Sequence, residues 1–400
     1  MATVPKRETM NPFEFSSVGK IIFGRGKIAQ LGEVARSMGG IALMIYNGDD
    51  PGRGGPVDRA AASLAATNVR VVYQRQRGEP TIADVDAHIA TAGWEDCDLV
   101  IGVGGGSAID AAKATAGIRS NRWNCIDYME VIGKGKKITQ PAMPWIAVPT
   151  TAGTGAEVTK NAVIGSPEHK FKASIRSEHL LARVALIDPE LGVNVPPEVT
   201  AASGMDALCQ LIESYTSTGA NPMTDPLAEQ GIRHALESLR VAYLDGSDIG
   251  ARERMALAAL LSGITLTNAG LGAVHGFAAP LGAQFPIPHG VICARLLPPV
   301  VAANIEALRR EKQVAHPALV RYDNIDSFAR VCMPSRSSNS LPAFLESLVQ
   351  ELRIPPLSQF GLRGEHIPGM VALARKTSSM RYNPVVLADD VLANILRSAL

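Results

Sequence analysis

The chain has 400 residues, 39 Lys plus Arg against 38 Asp plus Glu, and 46% hydrophobic residues. That much apolar material builds a large core and excludes a disordered chain, and the length suits two domains. A net charge of +1 leaves no global field for nucleic acid or an anionic membrane, so an anionic ligand must be held locally.

Charged residues make up 19% of the chain, below the roughly 25% of ordinary soluble domains. The deficit is local. Residues 99–109, 138–156 and 255–294 carry no Asp, Glu, Lys or Arg, and the rest of the chain returns to about 23%. Each span contains a candidate ligand loop, which is the pattern of a buried cleft.

Five scattered cysteines without a Cys-x-x-Cys pair argue against a disulfide framework or structural zinc and point to the cytoplasm. The first 15 residues lack the apolar run of a secretory signal. The first half of span 255–294 is long enough to cross a bilayer. The span also holds Asn268, His275, Gln284, His289, six glycines and three prolines, so it reads as a buried helix followed by a glycine-rich loop rather than a hairpin anchor.

In chain order, residues 20–23 form a short strand, 27–38 an amphipathic helix and 41–46 an apolar strand ending in Asn47-Gly48. A helix over 57–66, a strand over 69–73, a helix over 81–92 and strands over 99–103 and 145–148 follow. This alternation predicts a doubly wound parallel sheet with helices on both faces. Beyond residue 191 the spacing becomes helical, over 197–215, 225–243, 251–268, 341–352 and 388–399. The fold class is therefore α/β plus all-α: a nucleotide-binding domain over 1–191 and a helical domain over 192–400, with the site in the cleft between them.

The strand at 99–103 runs into Gly104-Gly105-Gly106-Ser107 and then an Ala-rich helix bearing Asp110. Glycines let a diphosphate approach the backbone, and the helix N-terminus favours its charge. The spacing is not G-x-G-x-x-G, and the run also fits a tight turn with no ligand. A second loop, with Thr150, Thr151, Gly153, Thr154 and Gly155, follows the next strand and offers short hydroxyls to a phosphate or ribose. In the second half, Asp206 and Gln210 share a helix face at i and i+4. With His275 and His289 they could converge on a divalent cation; a capping Asp and two hydrogen-bonded histidines fit the same spacing. The other histidines, His88, His169, His179, His234, His316 and His366, read as solvated.

Taken together, these motifs resemble the iron-containing (group III) alcohol dehydrogenase family of the dehydroquinate synthase-like fold. The resemblance runs from residues 13–24 through GGGSAIDAAK, VPTTAGTGAEVT, Lys172 with LIDPEL, GMDALCQLIESY and NAGLGAVHGFAAPLGAQFPIPHG to Asn383-Pro384. It implies hydride transfer between NAD(H) or NADP(H) and a small alcohol or aldehyde in a homodimer or larger assembly, without nucleic acid or membrane. It places Gly104, Gly105, Gly106, Ser107, Asp110, Thr150, Thr151, Thr154 and Lys172 around the cofactor. Asp206, His275 and His289 become catalytic ligands of Fe²⁺ or Zn²⁺.

Three positions depart from the family. Its fourth ligand is a histidine and here is Gln210, a weaker oxygen donor that lowers expected metal occupancy. A histidine four residues after His275, a candidate proton relay, is here Ala279. The Asp that accepts from the adenosine 2′-hydroxyl is matched by Asn47, which admits NADP(H), although Asp49 and Asp50 follow. Two rivals remain: a metal-independent carbonyl reductase similar to the maleylacetate reductases, with His275 or His289 as proton donor, and a non-catalytic nucleotide-binding protein with a decayed metal site.

Overall fold

The computed structural model describes residues 12–91, 93–121, 124–129, 132–310, 316–332 and 339–400. Residues 1–11, most of the segment read as lacking a secretory signal, and Ala92 at the end of one predicted helix lie outside them. The described strands are β1 (Ile21–Phe23), β2 (Ile41–Tyr46), β3 (Arg70–Arg75), β4 (Leu99–Gly104), β5 (Trp145–Pro149), β6 (Asn161–Ser166), β7 (Phe171–Arg176) and β8 (Val184–Ile187). Six of them form one sheet in the order β1-β8-β5-β4-β2-β3, with every neighbouring pair parallel. The early helices are α1 (Leu31–Arg36), α2 (Pro56–Ala66), α3 (Ile82–Ile89), α4 (Gly106–Asn121) and α5 (Cys125–Tyr128).

Parallel strands survive only with both faces covered, and the alternation of side chains shows how this is done. Ala42, Met44 and Tyr46 of β2 pack with Leu31 and Ala35 of α1 and Val57, Ala60 and Leu64 of α2. Leu43 and Ile45 point the other way, into a cluster with Ile109, Ala112 and Ala116 of α4. After β2 the chain turns to β3 on one side, and after β4 it turns to β5 on the other. The crevice between these diverging connections, at the carboxyl ends of β2 and β4, is where open α/β sheets bind ligands. Asn47 and the three glycines sit there.

The second half is helical: α6 (Pro197–Thr216), α7 (Thr224–Leu244), α8 (Ile249–Ala269), α9 (Ala273–Gln284), α10 (His289–Arg310), α11 (Pro317–Cys332), α12 (Leu341–Glu351), α13 (Ile367–Ala374) and α14 (Asp389–Ser398). Helix α8 joins the halves. Its Met255, Ala258 and Leu261 belong to the helical core, whereas Leu260 and Ile264 enter the core beneath the sheet. A helix buried on opposite sides must be apolar all round, which accounts for the absence of charge after Arg254. The contact is backbone-close: a Cβ on Gly263 would lie 2.2 Å from the Gly155 carbonyl oxygen.

Three expectations change. The predicted glycine-rich loop within 255–294 is largely helix α9, which contains Gly276, Pro280 and Gly282, and His289 is the first residue of α10. Helices α8 and α9 meet at 101°, and although α10 is long and apolar enough to cross a membrane, 61% of that apolar stretch is buried inside the fold. An antiparallel hairpin, β6 and β7, was missed; the Ser-Pro-Glu-His-Lys turn between its two strands was the available signal. His88, read as solvated, is buried and bonds Gln76 Oε1 at 3.0 Å, so burial lowers its pKa.

Glu157, in the turn after β5, is only 4% exposed. Desolvation by burial raises its pKa to about 7, against the lowering effect of its own backbone and of Lys113. The unfolded carboxylate ionises near 4.5, so the folded state holds its proton more tightly. Stability is therefore complete below that value, falls as pH rises through 7 and then levels off, a loss of roughly 3 kcal/mol at about 1.36 kcal/mol per unit. Glu157→Gln escapes this loss. Its melting temperature should exceed the parent's at pH 8 and converge with it near pH 4, as followed by circular dichroism.

Candidate active site

The first component is the turn from β4 into α4. Gly104 has φ +150, and a Cβ there would lie 2.0 Å from Asn47 Oδ1. Cβ atoms on Gly105 and Gly106 would meet the Thr151 and Thr154 hydroxyls at 3.2 and 2.9 Å. Without side chains the turn lies flat against Asn47, whose Oδ1 accepts from Gly105 N at 3.0 Å. The first hydrogen bond of the helical turn is donated by Ala108 N to Gly105 O. The N–H groups of Gly106 and Ser107 precede it, at the positive end of the helix dipole.

The second loop is tied beside the first, because Thr150 N donates to Gly104 O at 2.9 Å. Lys113, fully buried on α4, holds the pair from beneath. Its Nζ donates to Ala156 O, Thr159 Oγ1 and Asn161 O at 2.8, 2.7 and 2.6 Å, and reaches Asp110 at 3.3 Å. Asp110 also accepts from Val163 N at 3.0 Å, pinning the β6–β7 hairpin. Burial raises the Asp110 pKa, against the opposing pull of Lys113. Lys172, on β7, is ion-paired with Glu79. Glu79, Ser107, Thr151, Thr154, Ser203, Asp206 and His289 all line one cavity of about 760 Å³.

The second component lies at the helical wall of that cavity. Asp206 on α6, His275 on α9 and His289 on α10 come together. Asp206 Oδ1 is 3.3 Å from His275 Nε2 and 3.6 Å from His289 Nε2. Asp206 and His275 are buried, whereas the His289 side chain is 41% exposed towards the cavity. A residue the sequence reading left aside joins them: Cys293 Sγ lies 3.6 Å from both Nε2 atoms. The four donor atoms fall within 4.8 Å of one another. The available signal was spacing, since Cys293 follows His289 by four residues on one helix face.

Gln210, expected as the fourth donor, has other partners. Its Nε2 donates to Asp206 Oδ2 at 3.2 Å, and its Oε1 accepts from Ser262 Oγ at 2.9 Å. Glu213, one turn further on, was also passed over. It accepts from Val274 N at 2.7 Å and His275 N at 3.4 Å, while Asn383 Oδ1 accepts from Ala273 N. Two side chains thus cap α9 from outside, where Gly272 offers no cap of its own. Glu213 Oε2 also accepts a hydrogen bond from His275 Nδ1 at 2.7 Å. This orients the ring so that Nε2 faces Asp206, the carboxylate–histidine arrangement of metal sites. Ala279 offers no side-chain donor.

The charges of the cluster compensate one another. Burial works against charge on His289, but Cys293 and Asp206 outweigh it and raise its pKa to about 9. His275 rises in the same way, burial being outweighed by Cys293, Asp206 and Glu213. Asp206 falls, because His289 and His275 overcome the effect of its burial. Two imidazoles thus hold protons where a divalent ion could displace them.

The chain matches "Iron-containing alcohol dehydrogenase" over residues 19–189 and "Fe-containing alcohol dehydrogenase family, C-terminal" over residues 200–400. It is 33% identical to alcohol dehydrogenase 4 of Schizosaccharomyces pombe, across 95% of this chain and 87% of that protein. It is 30% identical to an NAD-dependent methanol dehydrogenase of Bacillus methanolicus, across 95% and 97%. A crystal structure of 1,3-propanediol oxidoreductase superposes with a TM-score of 0.86 at 31% identity, covering 98% of this chain and all of the other. With both halves matched and the fold shared from end to end, the chain belongs to the iron-containing alcohol dehydrogenase family.

Proposed function

We propose that the protein transfers a hydride between a nicotinamide dinucleotide and a small alcohol or aldehyde, with a divalent metal at the substrate oxygen. One observation carries this reading: Asp206 and His289, half of a four-donor cluster, face the same cavity as Ser107, Thr151 and Thr154. The cluster fits a cation in donor type, in spacing and in the ring orientation that Glu213 imposes on His275. When bound, the ion would polarise the substrate oxygen and the nicotinamide would give or take the hydride.

The chain's own residues do the rest. Gly104 to Gly106 let a diphosphate reach the N-terminus of α4, and the hydroxyls of Ser107, Thr151 and Thr154 orient what lies across it. Asp206, His275 and His289 would hold the ion. Lys113 keeps both loops in register without entering the cavity. The test is turnover by purified protein supplied with Zn²⁺ or Fe²⁺, each nicotinamide cofactor and a panel of alcohols and aldehydes, followed by nicotinamide absorbance. Full activity in the presence of a strong chelator would replace this reading with the metal-independent one. Cofactor binding without any turnover would favour the non-catalytic one.

The adenosine end is proposed to accept NADP(H) as well as NAD(H). Asn47 presents an amide whose oxygen is already used by Gly105. Asp50 is neutralised by Arg75 at 2.9 Å and bonded by Tyr46 Oη at 3.1 Å. Asn47→Asp keeps an acceptor for Gly105 but adds a negative charge. It should lower kcat/KM for NADPH by about 10- to 100-fold, or about 1.4–2.8 kcal/mol, and leave that for NADH within about threefold. Equal losses for both cofactors would refute the assignment. We place the protein in the cytoplasm, in keeping with five cysteines that are all free thiols.

A further inference from the structure

We propose that Cys293 supplies the fourth ligand of the metal site and that Gln210 does not, giving an Asp-His-His-Cys set suited to zinc. This rests on the reading of the cluster as a metal centre. The argument is first geometric. Tetrahedral zinc, with bonds of about 2.3 Å to sulfur and about 2.0–2.1 Å to nitrogen and oxygen, sets sulfur and nitrogen ligands roughly 3.6 Å apart and oxygen and nitrogen roughly 3.3–3.4 Å apart. Cys293 Sγ lies 3.6 Å from His275 Nε2 and 3.6 Å from His289 Nε2. Asp206 Oδ1 lies 3.3 and 3.6 Å from the same two nitrogens. Four of the six edges of a coordination tetrahedron are therefore already near their bound lengths.

The second argument is the occupation of Gln210. Its amide nitrogen, not its oxygen, faces Asp206, and it bonds Oδ2, leaving Oδ1 for the cluster. Its oxygen is held by Ser262, a residue that also approaches the Gly153 carbonyl across the domain junction. Gln210 is thus a positioning residue that fixes the Asp206 carboxylate.

Chemistry follows from the exchange. A thiol must lose its proton to ligate, so the proton departs as the cation enters, and the bound set carries two negative charges against the ion's two positive ones. A sulfur donor also shifts selectivity towards zinc relative to harder ions. A second sulfur, Cys209, serves as an internal control. It lies 4.0 Å from His275 Nδ1, on the Glu213 side of the ring, and is hydrogen-bonded to Cys293, so its replacement by serine tests a neighbouring sulfur while keeping a polar partner for Cys293.

The experiment is Co²⁺ substitution into the purified full-length protein, read by absorption spectroscopy. Tetrahedral cobalt shows intense visible bands, and a thiolate ligand adds a charge-transfer band in the near ultraviolet. The expected result is both features in the parent, in Cys209→Ser and in Gln210→Ala, with the charge-transfer band alone lost in Cys293→Ser. Zinc affinity of Cys293→Ser, measured by competition with a chromophoric chelator, should fall about 100-fold or more. Visible bands without a charge-transfer band in the parent, or a charge-transfer band that survives Cys293→Ser, overturn the ligand assignment while leaving the metal centre. A parent that takes up no cobalt overturns both.

Discussion

Asp206→Ala should lower kcat/KM for alcohol oxidation by at least about 10³-fold, some 4 kcal/mol of transition-state stabilisation. Asp206 is 2% exposed, and its Oδ1 faces both His275 Nε2 and His289 Nε2. Removing it leaves two imidazoles whose raised pKa depends on that carboxylate, and it leaves the Gln210 amide without its acceptor. Metal retained after dialysis should fall in parallel. Nicotinamide binding, measured by fluorescence titration, should change by less than about threefold, because the β4–α4 turn is held by Asn47 and Thr150. Asp206→Asn keeps the shape and an oxygen for Gln210 but not the charge, and should be nearly as inactive as the alanine variant. An Asp206→Asn protein that loses its metal and keeps full activity would sink the metal-dependent mechanism.

Gly104→Ala should weaken nicotinamide binding by about 100-fold or more, or about 2.8 kcal/mol. Two causes add. The residue sits at φ +150, which an L side chain adopts only with strain of about 1–3 kcal/mol. The new Cβ would also lie 2.0 Å from Asn47 Oδ1 and 2.9 Å from Ala108 Cβ. Asn47 must withdraw, and the Gly105 amide then loses its acceptor at the point where a diphosphate must approach. Gly135→Ala is the control, since that glycine has φ +58 but nothing within 4 Å of a built Cβ. It should cost some stability and leave the cofactor dissociation constant unchanged. Equal dissociation constants for Gly104→Ala and the parent, by isothermal titration, would remove this turn from the cofactor site.

The elements that the sequence made legible are those whose pattern is local. Strands β2 and β4 are continuous apolar runs because both faces of a parallel sheet are covered, and each lies within one residue of its predicted bounds. The glycine turn was readable because close approach of backbone needs residues without a Cβ. Asp206, His275 and His289 were readable because long motifs in a fixed order resemble one family, and the chain folds them into one cluster.

What the tertiary structure decided is set by partners distant in the chain. The sequence assigns α9 to a loop because Gly276, Pro280 and Gly282 interrupt it and its N-cap is a glycine. It is held as a helix by Glu213 and Asn383, 61 and 110 residues away from the amides they cap. Gln210 and Cys293 could not be ranked from spacing, since each stands four residues after a proposed ligand. Only the packing of α8 against α6, which gives Gln210 the Ser262 hydroxyl, and of α10 against α9, which brings Cys293 Sγ to two imidazoles, separates the positioning residue from the sulfur facing the cluster. The sequence by itself determined the family, the two-part fold and three members of the four-residue cluster, because these are carried by local patterns and motif order. The fourth member depends on which side-chain atom faces which across three helices, and that direction exists only once the helices have packed.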